Sequence, residues 1–382
     1  MFELLFLISL LFIVYTYFGY PAALLCLSRL KPYENNRQHE QGMRFKPAIS
    51  VVIAASNEEA SISKCVQRIL QQGYAGLLEV IVGSDGSTDK TVERARSIGD
   101  ARIRVFDFTH RRGRALVHND CVSAARGDVV VFVDAETEIG DDFLANIVQP
   151  FQDNQVGCVV GQLQWRNESE TSETNSQGLY WRYELWLRSL ESCLGMLATG
   201  TGACMAVRKS LYCSLQPDED VDFVTPLDVL LQGKQVVYEP RAIASDVAPE
   251  RAKGVIRSRS RMTAKNLAGT LRRLPALLRS RKLGVVWVVV SHKILRWFTP
   301  LFLLGLLGST FFLIGTSFYW YMLLLQSFVY VLAGIGGVAA YMNRRIPILG
   351  SLYSFFIANI GMLWGVFLYL GGHRIAVYRG VK

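Results

Sequence analysis

Asp134 and Glu136 stand on either side of Ala135, directly after the apolar run Val129–Val133. In extended chain, residues i and i+2 point the same way, so both carboxylates can face one cation. Hard carboxylate oxygens suit Mg2+ or Mn2+, ions that share their shell with substrate phosphates. Acids are also common in strand-end turns, so a solvated turn is the competing reading of the pair alone. A second acid, Asp85, ends another apolar run and opens Asp85-Gly86-Ser87-Thr88-Asp89. There Asp89 reads as a helix cap, while Asp85 is placed to accept a hydrogen bond from a base or ribose. Asn57-Glu58-Glu59 follows a third apolar run. Arg111-Arg112-Gly113-Arg114 precedes a helix, where positive charge opposes the macrodipole and a phosphate would relieve it; surface solvation is the alternative. Asp218, Glu219, Asp220 and Asp222 open a later helix, as caps or, for one of them, as a general base. Arg257 and Arg261 share one helical face and suit a diphosphate or lipid head groups.

The elements that position these groups alternate. Ile49–Ala54, Leu78–Gly83, Ile103–Phe106 and Asp128–Val133 read as buried strands, and Ile62–Gln72, Lys90–Ile98 and Arg114–Ala125 as helices. Continuous apolar strands between helices predict an α/β fold, a mostly parallel sheet with helices on both faces. Ligands of such sheets bind beyond the strand C-termini. The Asn57, Asp85 and Asp134 clusters all fall there, which points to one site.

The composition is more apolar than that of a soluble domain, with 51% hydrophobic and 19% charged residues, and the excess sits at the two ends. Phe2–Leu27 carries one charge, Glu3, and is long enough to span a bilayer. A cleaved signal peptide would need a basic start, which is missing. Arg29, Lys31 and Arg37 follow and predict that the next domain is cytoplasmic. Trp297–Ile314, Phe318–Tyr341 and Ile346–Gly371 read as three more spans. That count puts the basic tail (Arg374, Arg379, Lys382) outside, so Leu283–Leu295 is a candidate for a re-entrant or interfacial segment. Seven scattered Cys without a CxxC exclude a zinc ribbon and a disulfide framework and fit a reducing compartment. The net charge of +9 is concentrated between Glu250 and Lys282, with eleven Lys or Arg against one acid. Beside membrane spans this predicts interfacial helices on anionic lipid, with no nucleic acid partner. The expected organisation is a span at 1–30, a catalytic domain at 45–250, basic amphipathic helices at 251–296 and membrane helices at 297–372.

Taken in order, VVIAASNEE (Val51–Glu59), EVIVGSDGSTDKT (Glu79–Thr91), RGRALVHNDCVSAARGDVVVFVDAET (Arg112–Thr137), YWRYELWLRSLES (Tyr180–Ser192), GTGACMAVRKSL (Gly200–Leu211) and DVDFVTPLDVLLQGKQVVYEP (Asp220–Pro240) resemble membrane-bound family 2 glycosyltransferases of the GT-A fold. The resemblance covers nearly the whole chain. It implies inverting transfer from a nucleotide diphosphate sugar, UDP-linked, to a lipid-linked or growing polysaccharide acceptor. It further implies that Ala54, Asn57, Glu59 and Asp85 hold the nucleobase and ribose, and that Asp134, Ala135 and Glu136 form the metal and diphosphate motif. Arg114, Arg257 and Arg261 would serve the diphosphate, and Asp222 would be the catalytic base, with Asp220 as the alternative. Glu136 replaces the usual Asp, Arg114 a common Lys and Val221 an acid, and whether Glu136 touches the metal directly or through water stays open. The implied setting is a multi-pass protein of the inner membrane, its catalytic domain cytoplasmic, with membrane lipids and other polysaccharide-assembly proteins or a second copy as partners. A processive synthase with its own channel is the runner-up, although Arg257–Thr263 (RSRSRMT) lacks the QxxRW form of such enzymes. A non-catalytic nucleotide sensor on the same fold is the third reading.

Overall fold

In a computed structural model of the chain, residues 1–30, 45–167, 172–247, 252–342, 344 and 346–373 are described. The basic residues Lys31, Arg37, Arg345, Arg374, Arg379 and Lys382 lie outside them. Among the described residues, eight strands form one sheet: β1 (Ile49–Ala55), β2 (Leu78–Asp85), β3 (Ile103–Phe108), β4 (Val129–Phe132), β5 (Glu138–Ile139), β6 (Val156–Trp165), β7 (Met205–Arg208) and β8 (Gln235–Asp246). Their order is β3-β2-β1-β4-β7-β6-β8-β5. The β3-β2-β1-β4 half is parallel, as the alternating pattern predicts. In the other half β7 runs antiparallel to both β4 and β6, while β6 and β8 are parallel.

The apolar runs are continuous because both faces of the sheet are covered. Val51, Ile53, Val80, Val82, Val129 and Val131 pack on one face against α2 (Ile62–Leu70), α3 (Thr91–Arg96) and α5 (Phe143–Val148). Val52, Ile81, Val130 and Phe132 pack on the other beneath α4 (Arg114–Ala124) and α7 (Val221–Leu231). A fully buried Val or Ile contributes roughly 1.5–3 kcal/mol, so a one-residue slip, which exchanges the faces, is strongly disfavoured. The register therefore holds the tips of β1, β2 and β4 side by side.

Among the described residues, four helices are long and apolar enough to cross a membrane: α1 (Phe2–Leu30), α9 (Leu283–Phe312), α10 (Ser317–Tyr341) and α11 (Pro347–Leu370). The third-last apolar segment thus begins at Leu283, and Leu283–Leu295 is continuous with it. Two further helices join this layer to the sheet. One is α6 (Ser172–Cys193) and the other the basic α8 (Ala252–Arg279). Gly361 and Gly365 let α11 and α8 meet at backbone distance. A Cβ on Gly361 would lie 2.9 Å from the Ile256 carbonyl oxygen, and one on Gly365 2.5 Å from that of Ser260. Such small-residue contacts are how membrane helices approach closely. The opposite side of α8 is pinned by charge. Arg272 donates to Asp218 (2.6 Å) and Arg273 to Glu219 (2.7 Å) and Asp228 (2.6 Å). Asp218 and Glu219 thus fasten α8, beyond the capping expected of acids at a helix start.

Candidate active site

A cavity of about 310 Å3 opens beyond the tip of β4 and runs between α7, α8, α6 and the middle of α9. At its sheet end Arg114, the first residue of α4, donates through Nη2 to Oδ1 of Asp134. Asp222 enters from the first turn of α7, whose N-cap is Asp220. The turn Gly200-Thr201-Gly202 is small because these groups pass over it. A Cβ on Gly202 would stand 3.3 Å from Arg114 Nη2 and 3.7 Å from Asp222 Cγ, and the Gly200 N–H donates to the Asp222 carbonyl (2.7 Å).

Asp220 and Asp222 have opposite fates. Burial would raise the carboxyl of Asp220, but Lys265, whose Nζ donates to it at 2.5 Å, and Arg261 outweigh burial and hold it below the usual range. Among the described residues no cation forms a salt bridge with Asp222. Burial, and then the charge of Asp220, lift it above the ordinary carboxylate range, with Arg114 pulling the other way. His118 lies on the cavity wall, its ring tilted against Phe132 with centroids 5.1 Å apart and its Nδ1 without a partner among the described residues. Burial and the Arg114 charge keep it well below its ordinary pKa, hence neutral.

Asp246, at the end of β8, also lines the cavity. Burial and then the nearby Glu136 charge push its pKa up to about 6. Glu136 itself is exposed and Ala135 buried. Asp246, with the Glu136 charge close by, and Asp134, which lines the same cavity, are a hard-oxygen set suited in kind to a divalent cation. As they stand, Arg114 occupies Asp134, and among the described residues no three acids, His or Cys cluster closely enough to hold an ion.

Of the remaining expected residues, Ala54, Asn57, Glu59 and Asp85 do not line the cavity. Asp85 accepts from the backbone N–H of Arg112 (2.7 Å) and Gly113 (3.1 Å), which fixes the loop leading to Arg114. Asn57 adopts φ +60° and accepts from Thr88 N (2.8 Å), and Glu59 accepts from Lys90 N (3.1 Å), so these residues bind the first loop to the second. Asp89 accepts from Thr91 N (3.0 Å), as a cap. Ala54 pairs with Gly83 in the β1–β2 ladder. Arg261 lines the cavity. Arg257 is exposed and lies outside it, and Arg259 lines it instead.

The far end of the cavity is charged. Glu184 of α6 accepts from Lys293 Nζ (2.6 Å), Arg296 Nη1 (2.9 Å) and His292 Nε2 (2.9 Å), and pairs with Arg188 (3.4 Å). A wide π turn over Val289–Ile294 brings the three α9 residues to it. Burial would raise Glu184, yet the cations hold it well below the usual range. Arg188 also donates to Thr201 Oγ1 (2.5 Å), so the two ends are joined.

A mixed sheet of this order, with acids at the parallel strand tips, fits a GT-A glycosyltransferase fold. Residues 50–214 match the family described as glycosyl transferase family 2. An N-acetylglucosaminyltransferase of Bradyrhizobium elkanii is 31% identical over 136 residues, 35% of this chain and 75% of that protein. One from Rhizobium meliloti (strain 1021) is 27% identical over 252 residues, 60% of this chain. The chain spans 58% of the length of that relative and 59% of that of Rhizobium sp. (strain N33). In fold the chain is similar to a mannosyltransferase from Pyrobaculum calidifontis solved with GDP-Man and Mn2+. The TM-score is 0.68 at 19% identity, over 94% of this chain and 99% of that one. The chain belongs to glycosyltransferase family 2.

Proposed function

We propose that the chain transfers a sugar, with inversion, from a UDP-linked donor to a hydroxyl of a lipid-linked or growing saccharide acceptor. The observation that carries this reading is Asp222: a carboxylate of raised proton affinity in the same cavity as the Arg114–Asp134 pair. Asp222 takes the proton of the acceptor hydroxyl as its oxygen attacks the anomeric carbon, on the face opposite the leaving diphosphate. Arg114 and Arg261 offset the charge that develops on that diphosphate. Asp85 shapes the ribose side by fixing Arg112 and Gly113, with Ala54, Asn57 and Glu59 framing the nucleobase edge. Asp134 and Asp246 would hold Mg2+ or Mn2+, with Glu136 reaching it directly or through water; a bound ion supplies positive charge to the diphosphate. The names of the relatives make N-acetylglucosamine the first sugar to try.

In this reading α1, α9, α10 and α11 span the inner membrane, residues 45–250 form a cytoplasmic catalytic domain, and α8 lies at the lipid surface. The test is nucleotide release by the purified full-length chain across a panel of nucleotide sugars with Mn2+. UDP-N-acetylglucosamine is expected to turn over and Asp134→Asn to abolish it. No turnover of any donor, or a silent Asp134→Asn, would sink the reading.

A further inference from the structure

Arg296 is 4% exposed and lies within a helix of membrane-spanning length. Its Nη1 is satisfied by Tyr180 Oη and Glu184, both at 2.9 Å. Its Nε and Nη2 are buried with no hydrogen-bond partner among the described residues. Those two atoms share one edge of the guanidinium, and their parallel N–H bonds form the fork that grips a phosphate or carboxylate through two oxygens. A structural staple would leave no such edge open. Among the described residues the surroundings also hold more cations than carboxylates. Arg188, Lys293 and Arg296 face Glu184 together, while Glu191 is engaged by Tyr20 (2.6 Å) and His292 (2.5 Å). A fourth cation, Arg259, lies 5.3 Å over the Tyr180 ring.

Arg296 also stands where two cavities meet. Tyr180, Val255, Arg259, Arg296 and Met362 line both the cavity that holds Asp222 and a second one of about 320 Å3. The second is walled by Tyr17 of α1, Phe355, Ile357 and Ala358 of α11, and the start of α8. It is largely apolar and bounded by two membrane-type helices. From one end to the other the order is therefore proton acceptor, open guanidinium edge, apolar groove among membrane helices.

We propose that this path seats an acceptor lipid in which a phosphate or diphosphate joins a hydrocarbon chain to a sugar. The anion lies on Arg296 with Arg259 beside it, the chain in the groove and the sugar toward Asp222. This rests on the glycosyl-transfer reading above and narrows its acceptor from two classes to one. A neutral saccharide chain offers the open edge no negative charge and the groove no apolar surface. In the reaction the acceptor sugar's hydroxyl oxygen bonds to the donor's anomeric carbon, the bond from that carbon to UDP breaks with its electron pair leaving on UDP, and the hydroxyl proton passes to Asp222. The lipid phosphate takes no part in bond making.

The test uses the full chain in nanodiscs with three acceptors of the same sugar: a short prenyl diphosphate glycoside, the octyl glycoside and the sugar 1-phosphate. Binding of a fluorescent prenyl diphosphate is measured in parallel. The wild type is expected to use the prenyl diphosphate sugar with a KM roughly tenfold or more below either partial acceptor, the scale of a charge-assisted bidentate contact. Arg296→Lys keeps the charge but loses the fork, and Ala358→Trp fills the groove without touching the charges. Each is expected to erase that advantage and to weaken probe binding. Equal use of the octyl glycoside, or an advantage that survives both variants, overturns the proposal. Displacement of the probe by an equal concentration of phosphatidylglycerol also overturns it, since the seat would then be a general anionic-lipid site. If no donor turns over at all, the transfer reading fails by itself. The binding arm then decides the groove: a probe held by the wild type and released by both variants upholds it, and a probe bound alike by all three removes it.

Discussion

The two ends of the cavity invert one another. At the sheet end the carboxylates Asp134, Asp220, Asp222 and Asp246 line the cavity with Arg114, and burial together with the charges of Asp220 and Glu136 raises the proton affinity of Asp222 and Asp246. At the membrane end three cations gather around one carboxylate, and their excess shows as a depressed Glu184 and an open edge on Arg296. An acid-rich end suits a cation and a proton to be taken. A cation-rich end suits an anion. Under the proposed transfer, the two reactants would sit at opposite ends.

The comparison breaks first at Asp222. Asp222→Asn is expected to lower kcat by about 10²–10⁴, the usual contribution of a general base, while calorimetry still records UDP binding. A modest loss would move the base elsewhere. At the other end, Glu184→Gln leaves Arg188, Lys293 and Arg296 without their counter-charge in a buried site. About 3–5 kcal/mol of stability should go, read as a lower denaturant midpoint. Asp246→Asn should raise the half-saturating Mn2+ concentration for donor turnover by about tenfold or more, as loss of an orienting group does at metal sites. The acidic limb of the rate profile is the next probe. Asp222 must be deprotonated to act, and its pKa is raised, so kcat should climb with pH at values above those of an ordinary Asp. Lys265→Met removes the cation beside the Asp220–Asp222 pair and should move that limb upward by about one pH unit, tenfold in rate at a fixed pH on the slope. Arg257→Ala should be the quietest change, within about twofold in donor kinetics, because the side chain is exposed and outside the cavity.

The sheet end was legible in the chain because its signals are local. Apolar runs such as Val129–Val133 mark the strands, and Asp85 and Asp134 mark their tips. The antiparallel β7 was not legible, because four residues between a small-residue turn and a polar segment carry no directional mark. Asp246 carries no mark in the sequence, since its neighbour Glu136 comes from a distant segment and the β5–β8 pairing brings the two together. Arg296 was hidden by where the span was begun. Starting it at Trp297 treats the arginine as a boundary charge, whereas the helix runs on from Leu283 and makes it an internal one. An ionisable residue inside such a helix is itself a signal of function, and it was the one available. Arg257 shows the reverse failure: a shared helical face with Arg261 did not bring both into the cavity, because Gly361 and Gly365 draw α8 onto α11 at the turn between them.

The membrane helices do more than hold this protein in place. Arg296 and Trp297 of α9 and Met362 of α11 are walls of the cavity that contains Asp222. A tether can be exchanged for any other tether, but a wall cannot. Cutting the chain before Leu283 and fastening the rest to a bilayer by a lipid tag would preserve the address and leave the reaction vessel open on one side.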